Sequence, residues 1–283
     1  MSGPRDCDVA GARLGSLGLE AHLRDPHIKQ RFVTAVFEVV AQRYDRFTTV
    51  FSYGMDRGWK RELLERLAAT RPVPGLVLDV ACGTGDLAVA AAQLPGGPLV
   101  LGLDVSRSML RTAHARRHAN GGKRVHLAAG DMMQLPLADG SADVVTVGYG
   151  IRNAPDPYGA LDEITRVLRR DGYLLVLDFY RPRNPVWRAL FLGYLGIAGR
   201  MLGWLWHRDP VAYGYIAASI EHYLSWQEFG DALASRGLAV ERVSRKLLGG
   251  ICLHVARKLA ESSSRPSPRT AQLLNAARST HWT

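Results

Sequence analysis

The stretch Leu76-Val77-Leu78-Asp79-Val80-Ala81-Cys82-Gly83-Thr84-Gly85-Asp86 constrains the fold of this chain more than any other. Its first half is a nearly unbroken apolar run, the pattern of a strand buried on both faces of a parallel sheet. Its second half is rich in glycine, so the backbone turns tightly and starts a helix at Asp86, over the strand's carboxyl end. Strand-like and helix-like segments then alternate. Leu99 to Val105, Val125 to Ala129, Asp143 to Gly148 and Tyr173 to Phe179 read as strands. Ser106 is placed to cap one intervening helix, and Asp156-Pro157 opens another that runs through Leu168, with Asp171-Gly172 as the turn after it. This alternation predicts a doubly wound α/β domain with a mostly parallel sheet and right-handed crossovers. Ser225-Trp226-Gln227-Glu228 has the capping-box spacing for a further helix ending near Gly237. Two strands flanking Gly249-Gly250 read as a closing antiparallel hairpin, which brings the sheet to seven strands.

The rest divides around this domain. Residues 1–28 show no steady period and read as an arm; 29–258 read as the folded domain; 259–283, rich in Ser, Pro and Arg, read as a disordered basic tail. Two aromatic-rich helical regions, about 29–70 (broken around Thr48, Thr49 and Gly54) and about 183–223, are expected to cap the sheet's carboxyl edge. The chain of 283 residues carries a formal net charge of +10, an excess that suits an anionic partner such as a membrane surface as well as a solvated surface and tail. Arg188 and Arg200 interrupt the most apolar long stretch, Val186 to Trp206, which argues against a transmembrane span. Cys7, Cys82 and Cys252 are scattered without a Cys-x-x-Cys or Cys/His cluster, so neither a disulfide framework nor a metal site is expected, and a reducing cytoplasmic compartment fits.

The charges around the glycine loop select among cofactors. A dinucleotide would bring an anionic pyrophosphate between Asp79 and Asp86, two carboxylates that repel it. A cofactor with an ammonium and a sulfonium, and no phosphate, is attracted by the same pair, so the loop favours S-adenosylmethionine over NAD. The dehydrogenase signature Tyr-x-x-x-Lys is also absent. Asp104 ends the second strand about twenty residues beyond the glycines, where a carboxylate accepts from ribose hydroxyls. Asp131 and Met132 end the third strand, where the carboxylate reaches the adenine amino group and the thioether packs on the ring. Ala81, Gly83, Thr84, Gly85, Val105, Gly148 and Tyr149 complete the expected cofactor-binding set.

From Tyr44 to Arg257 the chain resembles the ubiquinone/menaquinone biosynthesis C-methyltransferases, class I enzymes with a Rossmann-like fold. The resemblance rests on Tyr44-Asp45, Ser52-Tyr53-Gly54, Trp59-Lys60-Arg61, the loop Asp79 to Asp86, Val167-Leu168-Arg169 and Tyr213 to Ile220. Most specific is Gly148-Tyr149-Gly150-Ile151-Arg152-Asn153. The chain departs from the family pattern at Thr48 (usually Asn), Gly148 (often Ser), Asp171 (usually Gly) and Gly214 (usually Arg). The resemblance implies methylation of a ring carbon of a prenylated quinol, most simply demethylmenaquinol, with Arg152, Asn153 and Tyr44 as catalytic residues.

Such chemistry needs an electron-rich carbon, which an ionised phenolic hydroxyl supplies. A guanidinium at Arg152 would stabilise that oxyanion, while a water it holds takes the proton, since arginine itself does not give one up. The competing reading pairs Arg152 structurally with Asp156, and His222 is the other conceivable base. The aromatics of 186–223 suit an isoprenoid-tail site, core packing or a homo-oligomer interface alike. Peripheral contact with anionic membrane on its inner face is expected from the charge. Methylation of another aromatic metabolite and a non-catalytic scaffold role are the alternatives. Nucleic acid is disfavoured, since no Asn-Pro-Pro-Tyr base-methylation motif and no basic stripe is present.

Overall fold

A computed structural model describes residues 26–41, 44–70, 73–207 and 211–259. The expected arm up to residue 25, with Cys7, and the tail from residue 260 lie outside the described residues, as do the side chains of Phe47, Trp204, Trp206 and Tyr213.

Seven strands form one sheet in the order β3-β2-β1-β4-β5-β7-β6. They are β1 (Leu76–Val80), β2 (Leu99–Asp104), β3 (Val125–Ala129), β4 (Ala142–Gly148), β5 (Leu168–Phe179), β6 (Leu238–Lys246) and β7 (Ile251–Lys258). The first five pair in parallel, β7 runs antiparallel to β5, and β6 antiparallel to β7. This is the doubly wound sheet with a closing hairpin that the sequence predicts.

The two-residue period of the strands explains why they are apolar throughout. Leu78, Val80, Val145, Val147, Leu174 and Val176 point into one core, with Leu161 and Ile164 of α6 (Pro157–Val167) and Phe229 and Leu233 of α9 (Trp226–Ala234). Val77, Val144, Leu175 and Leu177 point into the other, against Leu63 and Leu67 of α3 (Met55–Ala69) and Leu87 and Ala88 of α4 (Asp86–Ala92). Helices therefore cover both faces of the sheet.

A third core stands over the carboxyl edge of the sheet. Phe32, Val33 and Val36 of α1 (Pro26–Val40) and Phe51 of α2 (Tyr44–Phe51) meet Met109 of α5 (Arg107–Ala119). Phe191 and Leu195 of α7 (Pro185–His207) and Tyr215 and Ile220 of α8 (Val211–Glu221) close it. Phe191, Leu195 and Tyr215 are core residues, so part of the aromatic content of 183–223 serves packing.

The local signals hold in detail. Ser106 accepts from Met109 N, Asp156 accepts from Tyr158 N ahead of Pro157, and Ser225 and Glu228 form a complete capping box. Three boundaries differ from expectation. Thr48 and Thr49, expected as a break, lie inside α2, while the break expected at Gly54 is present at residues 52–54, where Tyr53 and Gly54 adopt positive φ of 51° and 76°. The strand expected to begin at Tyr173 begins at Leu168, and Asp171 (φ 58°) sits inside it where pairing jumps from Ala142↔Leu168 to Val144↔Tyr173. That bulge explains how Asp replaces Gly there, since Asp tolerates the left-handed region better than most residues. Finally, α3, expected within the cap, packs on the sheet.

Candidate active site

Strand order reverses between β2-β1 and β4-β5, and open α/β sheets bind ligands in the crevice at such a switch point, beyond the strands' carboxyl ends. A cleft of about 980 Å3 lies there. The loop after β1 turns under it through three left-handed residues, Ala81 (φ 53°), Gly83 (φ 55°) and Gly85 (φ 74°), the first two of which line it. Gly83 N donates to Asp104 Oδ2 at 2.8 Å, and Ser106 N to Asp104 Oδ1 at 2.8 Å, so Asp104 ties the loop to the start of α5. No atom lies within 4 Å of where a Cβ on Gly83 would stand, whereas a Cβ on Gly85 would stand 2.9 Å from Ala113 Cβ. Gly83 leaves room in the cleft; Gly85 lets α5 approach the loop and does not line the cleft. The other expected cofactor residues, Asp79, Ala81, Thr84, Val105, Asp131, Met132, Gly148 and Tyr149 with Gly83 and Asp104, all line it. At Gly148, a departure from the family pattern, a Cβ would stand 2.5 Å from Leu87 Cδ1, so a side chain there requires the end of Leu87 to move.

The lining is acidic. Asp79 is buried, accepts from Thr146 Oγ1 at 2.7 Å through Oδ1, and leaves Oδ2 buried with no partner. Burial pushes its carboxyl up to about 7, against the Thr146 bond and with help from Asp86 and Asp104. Asp86 is the opposite case. Burial would raise it, but Lys60 Nζ at 2.5 Å outweighs that and holds it below the usual carboxylate range. An orphaned buried carboxylate oxygen, an open glycine and no excess of cations fit an ammonium-bearing, phosphate-free ligand. Thr84 faces the cleft with its hydroxyl donating to Asp45 Oδ1 at 2.7 Å and accepting from Arg116 Nη1 at 2.9 Å, which ties α2 to α5 across the mouth.

The second functional group surrounds a neighbouring pocket of about 600 Å3 lined by Tyr44, Ser52, Asp56, Trp59, Tyr149, Arg152, Phe179 and Tyr215 among others. Tyr44, Phe37 and Tyr149 line both spaces. Arg152 sits in a 3-10 turn (Ile151–Asn153) after β4 and is 4% exposed. Its Nη1 donates to Asn153 Oδ1 and Ser219 Oγ, both at 2.9 Å, its Nε lies 3.3 Å from Asp178 Oδ1, and its guanidinium stacks on Phe179 at 5.4 Å. The ion pair is therefore with Asp178, at the end of β5, and not with Asp156, which caps α6. Burial pushes the Asp178 carboxyl up to about 6 even though Arg152 draws it down. Asn153 Oδ1 also accepts from Tyr215 Oη at 3.2 Å, and Asn153 Nδ2 donates to Tyr149 O at 3.1 Å. Burial raises the Tyr44 phenol above its ordinary value despite Arg152, so it is a neutral hydroxyl at the junction of the two spaces. His222 is exposed, bonded to Ala218 O at 3.0 Å, and is no part of either pocket.

Several residues had no local signature. Lys29 Nζ donates to the carbonyls of Arg152 (3.1 Å) and Ala154 (2.5 Å), fixing the 3-10 turn from α1. Gln30 bonds Asp131, and Glu38 accepts from Ser106 Oγ at 2.8 Å and Ser108 N at 3.1 Å. These three polar side chains latch α1 along the cleft. Their spacing shows only as polar positions in an amphipathic helix, which any surface helix shares.

The profile of the ubiE/COQ5 methyltransferase family matches residues 26–258. The chain belongs to that family. A demethylmenaquinone methyltransferase of Desulfitobacterium hafniense is 32% identical over 226 residues, covering 79% of this chain and 88% of the relative. A ubiquinone/menaquinone biosynthesis C-methyltransferase of Methylobacterium nodulans is 37% identical over 236 residues, covering 82% and 92%. Among solved structures, a SAM-dependent methyltransferase from Aquifex aeolicus superposes with a TM-score of 0.50 at 21% identity over 71% of this chain and 89% of its own, which establishes the fold. As a family member with this fold, the chain is a methyltransferase whose methyl donor is S-adenosylmethionine.

Proposed function

We propose that the chain transfers the methyl group of S-adenosylmethionine to a ring carbon of a prenylated quinol, converting demethylmenaquinol to menaquinol. The observation that carries this reading is the continuity of three spaces. The cofactor cleft shares Tyr44 and Tyr149 with the Arg152 pocket, which shares Phe51, Ser52, Trp59 and Phe179 with an apolar cavity of about 740 Å3 beneath α7. Cofactor, ring and isoprenoid tail each have a compartment, in that order.

The cofactor supplies an electrophilic methyl on a sulfonium. Asp79 would hold its ammonium, Asp104 its ribose, and Asp131 with Met132 its adenine; the Asp104 oxygens keep lone pairs beyond the two amide bonds they accept. Asn153 Oδ1 and Ser219 Oγ occupy Nη1 of Arg152 and Asp178 stands at Nε, leaving Nη2 as a donor for a phenolate oxygen. Buried in low dielectric, that fixed cation favours the phenolate and so charges the adjacent ring carbon. Asn153 and Ser219 hold the guanidinium in place, Tyr44 donates at the junction, and a water at Arg152 takes the proton.

The acceptor is lipidic, and the exposed face of α7 suits its delivery. Val186, Leu190, Ile197 and Met201 share one helical face and are each 60% exposed or more. Tyr53 and Leu248, beside the cavity, are 77% and 80% exposed in left-handed backbone. No described helix is long and apolar enough to cross a membrane. With a net charge of +10, this face rests on an anionic bilayer, the tail entering beneath it.

The test is turnover of chemically reduced demethylmenaquinone, read by mass spectrometry. Arg152→Ala should lower kcat by about 10²–10³, the scale of one lost oxyanion donor, with S-adenosylhomocysteine affinity unchanged. Full activity in that variant overturns the role; no product from the unsubstituted enzyme overturns the acceptor.

A further inference from the structure

The Arg152 pocket holds a second buried charge that the mechanism above does not use. Asp56, in the first turn of α3, is 5% exposed and lines this pocket. Ser52 Oγ donates to its Oδ1 at 3.0 Å, and Lys60 Nζ stands 3.6 Å from Oδ2, too far for a hydrogen bond because Asp86 holds the lysine at 2.5 Å. Nearby, Tyr149 is 93% buried, by its 7% exposure, yet its hydroxyl has no partner. The same residue is held at φ 61°, a strained conformation for tyrosine. Burial first, then the charge of Asp56, raise its phenol well above the ordinary value, so Tyr149 stays a neutral donor. Its ring packs on Phe179 at 5.4 Å with Lys60 over it at 5.8 Å, while the guanidinium of Arg152 stacks on Phe179. One pocket thus holds the guanidinium of Arg152, the carboxylate of Asp56 and the aromatic pair Tyr149 and Phe179.

We propose that Asp56 accepts a hydrogen bond from the acceptor's second hydroxyl, para to the one at Arg152, while Tyr149 Oη donates to the same oxygen, and that Asp56 thereby selects the reduced diol over the oxidised quinone. This rests on the quinol reading above. A diol hydroxyl has both a proton to give and a lone pair to receive. A quinone carbonyl has only lone pairs, and against Asp56 it sets two acceptors face to face in a buried site, where an unmade bond is costly. Ring order agrees. Around the acceptor ring come the ionised oxygen, the methylated carbon, the tail-bearing carbon and the second hydroxyl. Ser52, bonded to Asp56, lines the apolar tail cavity as well, which puts tail and second hydroxyl on the same side.

The experiment is anaerobic equilibrium dialysis of the full chain with S-adenosylhomocysteine and three probes: 2-geranyl-1,4-naphthoquinone, its dithionite-reduced diol, and the deoxy analogue 3-geranyl-1-naphthol. The unsubstituted protein should bind the diol about tenfold or more tightly than either other probe, the factor that a hydrogen bond to a charged group carries. Asp56→Asn, which keeps shape and can also donate, should bring diol and quinone within about threefold. Equal binding of diol and deoxy analogue overturns the proposal without any variant, as does an undiminished diol preference in Asp56→Asn. Binding of none of the three probes would instead overturn the quinol reading and this inference with it.

Discussion

If the carboxylate of Asp79 holds the cofactor's ammonium, as proposed, cofactor affinity should fall as pH drops through about 7. The Asp79 carboxyl is raised to about 7 because it is buried with one oxygen unpartnered. A carboxyl raised on folding favours the folded state below its ordinary value and loses that contribution as pH climbs through about 7. An arriving ammonium reverses this, since it needs the carboxylate. With a pKa near 7, about nine-tenths of the free protein must release a proton on binding at pH 6, and about one-tenth at pH 8. The affinity for S-adenosylhomocysteine should therefore fall about tenfold from pH 8 to pH 6. Calorimetry in two buffers of different ionisation enthalpy reads both numbers, with about 0.9 proton released at pH 6. Asp79→Asn should abolish the release and weaken binding at pH 8 by about tenfold to a hundredfold, the worth of one charge-assisted bond. A pH-independent affinity in the unsubstituted enzyme would refute the assignment of Asp79 to the ammonium.

Three further outcomes follow from other parts of the molecule. Burial lowers His254 to about 4, so it contributes stability above its ordinary value near 6.5 and loses it as pH falls toward 4. About 2.5 kcal/mol of folding free energy should go between pH 7.5 and 4.5 in urea titrations, and His254→Gln should not show that loss; equal acid losses would sink the claim. Gly83→Ala and Gly85→Ala both sit at positive φ and should each lose about 1 kcal/mol to backbone strain; Gly85→Ala also meets Ala113 and should lose up to about 3 kcal/mol in all, while Gly83→Ala, with open space, should add a loss of cofactor binding; calorimetry and thermal melts of both variants check the division of roles. Leu190→Glu with Ile197→Glu should abolish flotation with vesicles containing phosphatidylglycerol while leaving cofactor affinity intact, and unchanged flotation would remove α7 from the membrane contact.

The sheet was legible because its signals are local. A strand buried on both faces must be apolar at every position, as Val77-Leu78 and Val144-Val145 are, and the helix starts carry caps whose partners lie three or four residues away. The misplaced boundaries have a common cause. Thr48 and Thr49 read as breakers on propensity, yet their helix is held by Phe51 packing in the cap, and propensity is a weak term beside burial. Asp171-Gly172 reads as a turn, and it does turn the backbone, but β4 supplies ladder partners on both sides of it, so the strand continues through a bulge.

The site divides along the same line. The residues proposed for the cofactor follow strands whose ends are fixed by the fold, so their positions could be read one loop at a time. Arg152 and Asn153 could be placed at the mouth, but not partnered: Asp178 lies 26 residues on and Ser219 lies 67 residues on, and nothing local joins them. Asp156, four residues away and correctly charged, was the nearer choice; it is spent on the amide of Tyr158. Asp56 is the sharper case. In sequence it is an unremarkable acid in the first turn of a helix, where carboxylates commonly serve the helix dipole. Only the packing of α3 on the sheet, with Lys60 drawn away by Asp86, turns it toward the pocket where Tyr149 waits without a partner. The residues proposed to hold the cofactor follow the ends of the strands, while Asp56 and Tyr44, proposed to face the acceptor, come from helices laid over the sheet, so the acceptor is written in tertiary contacts.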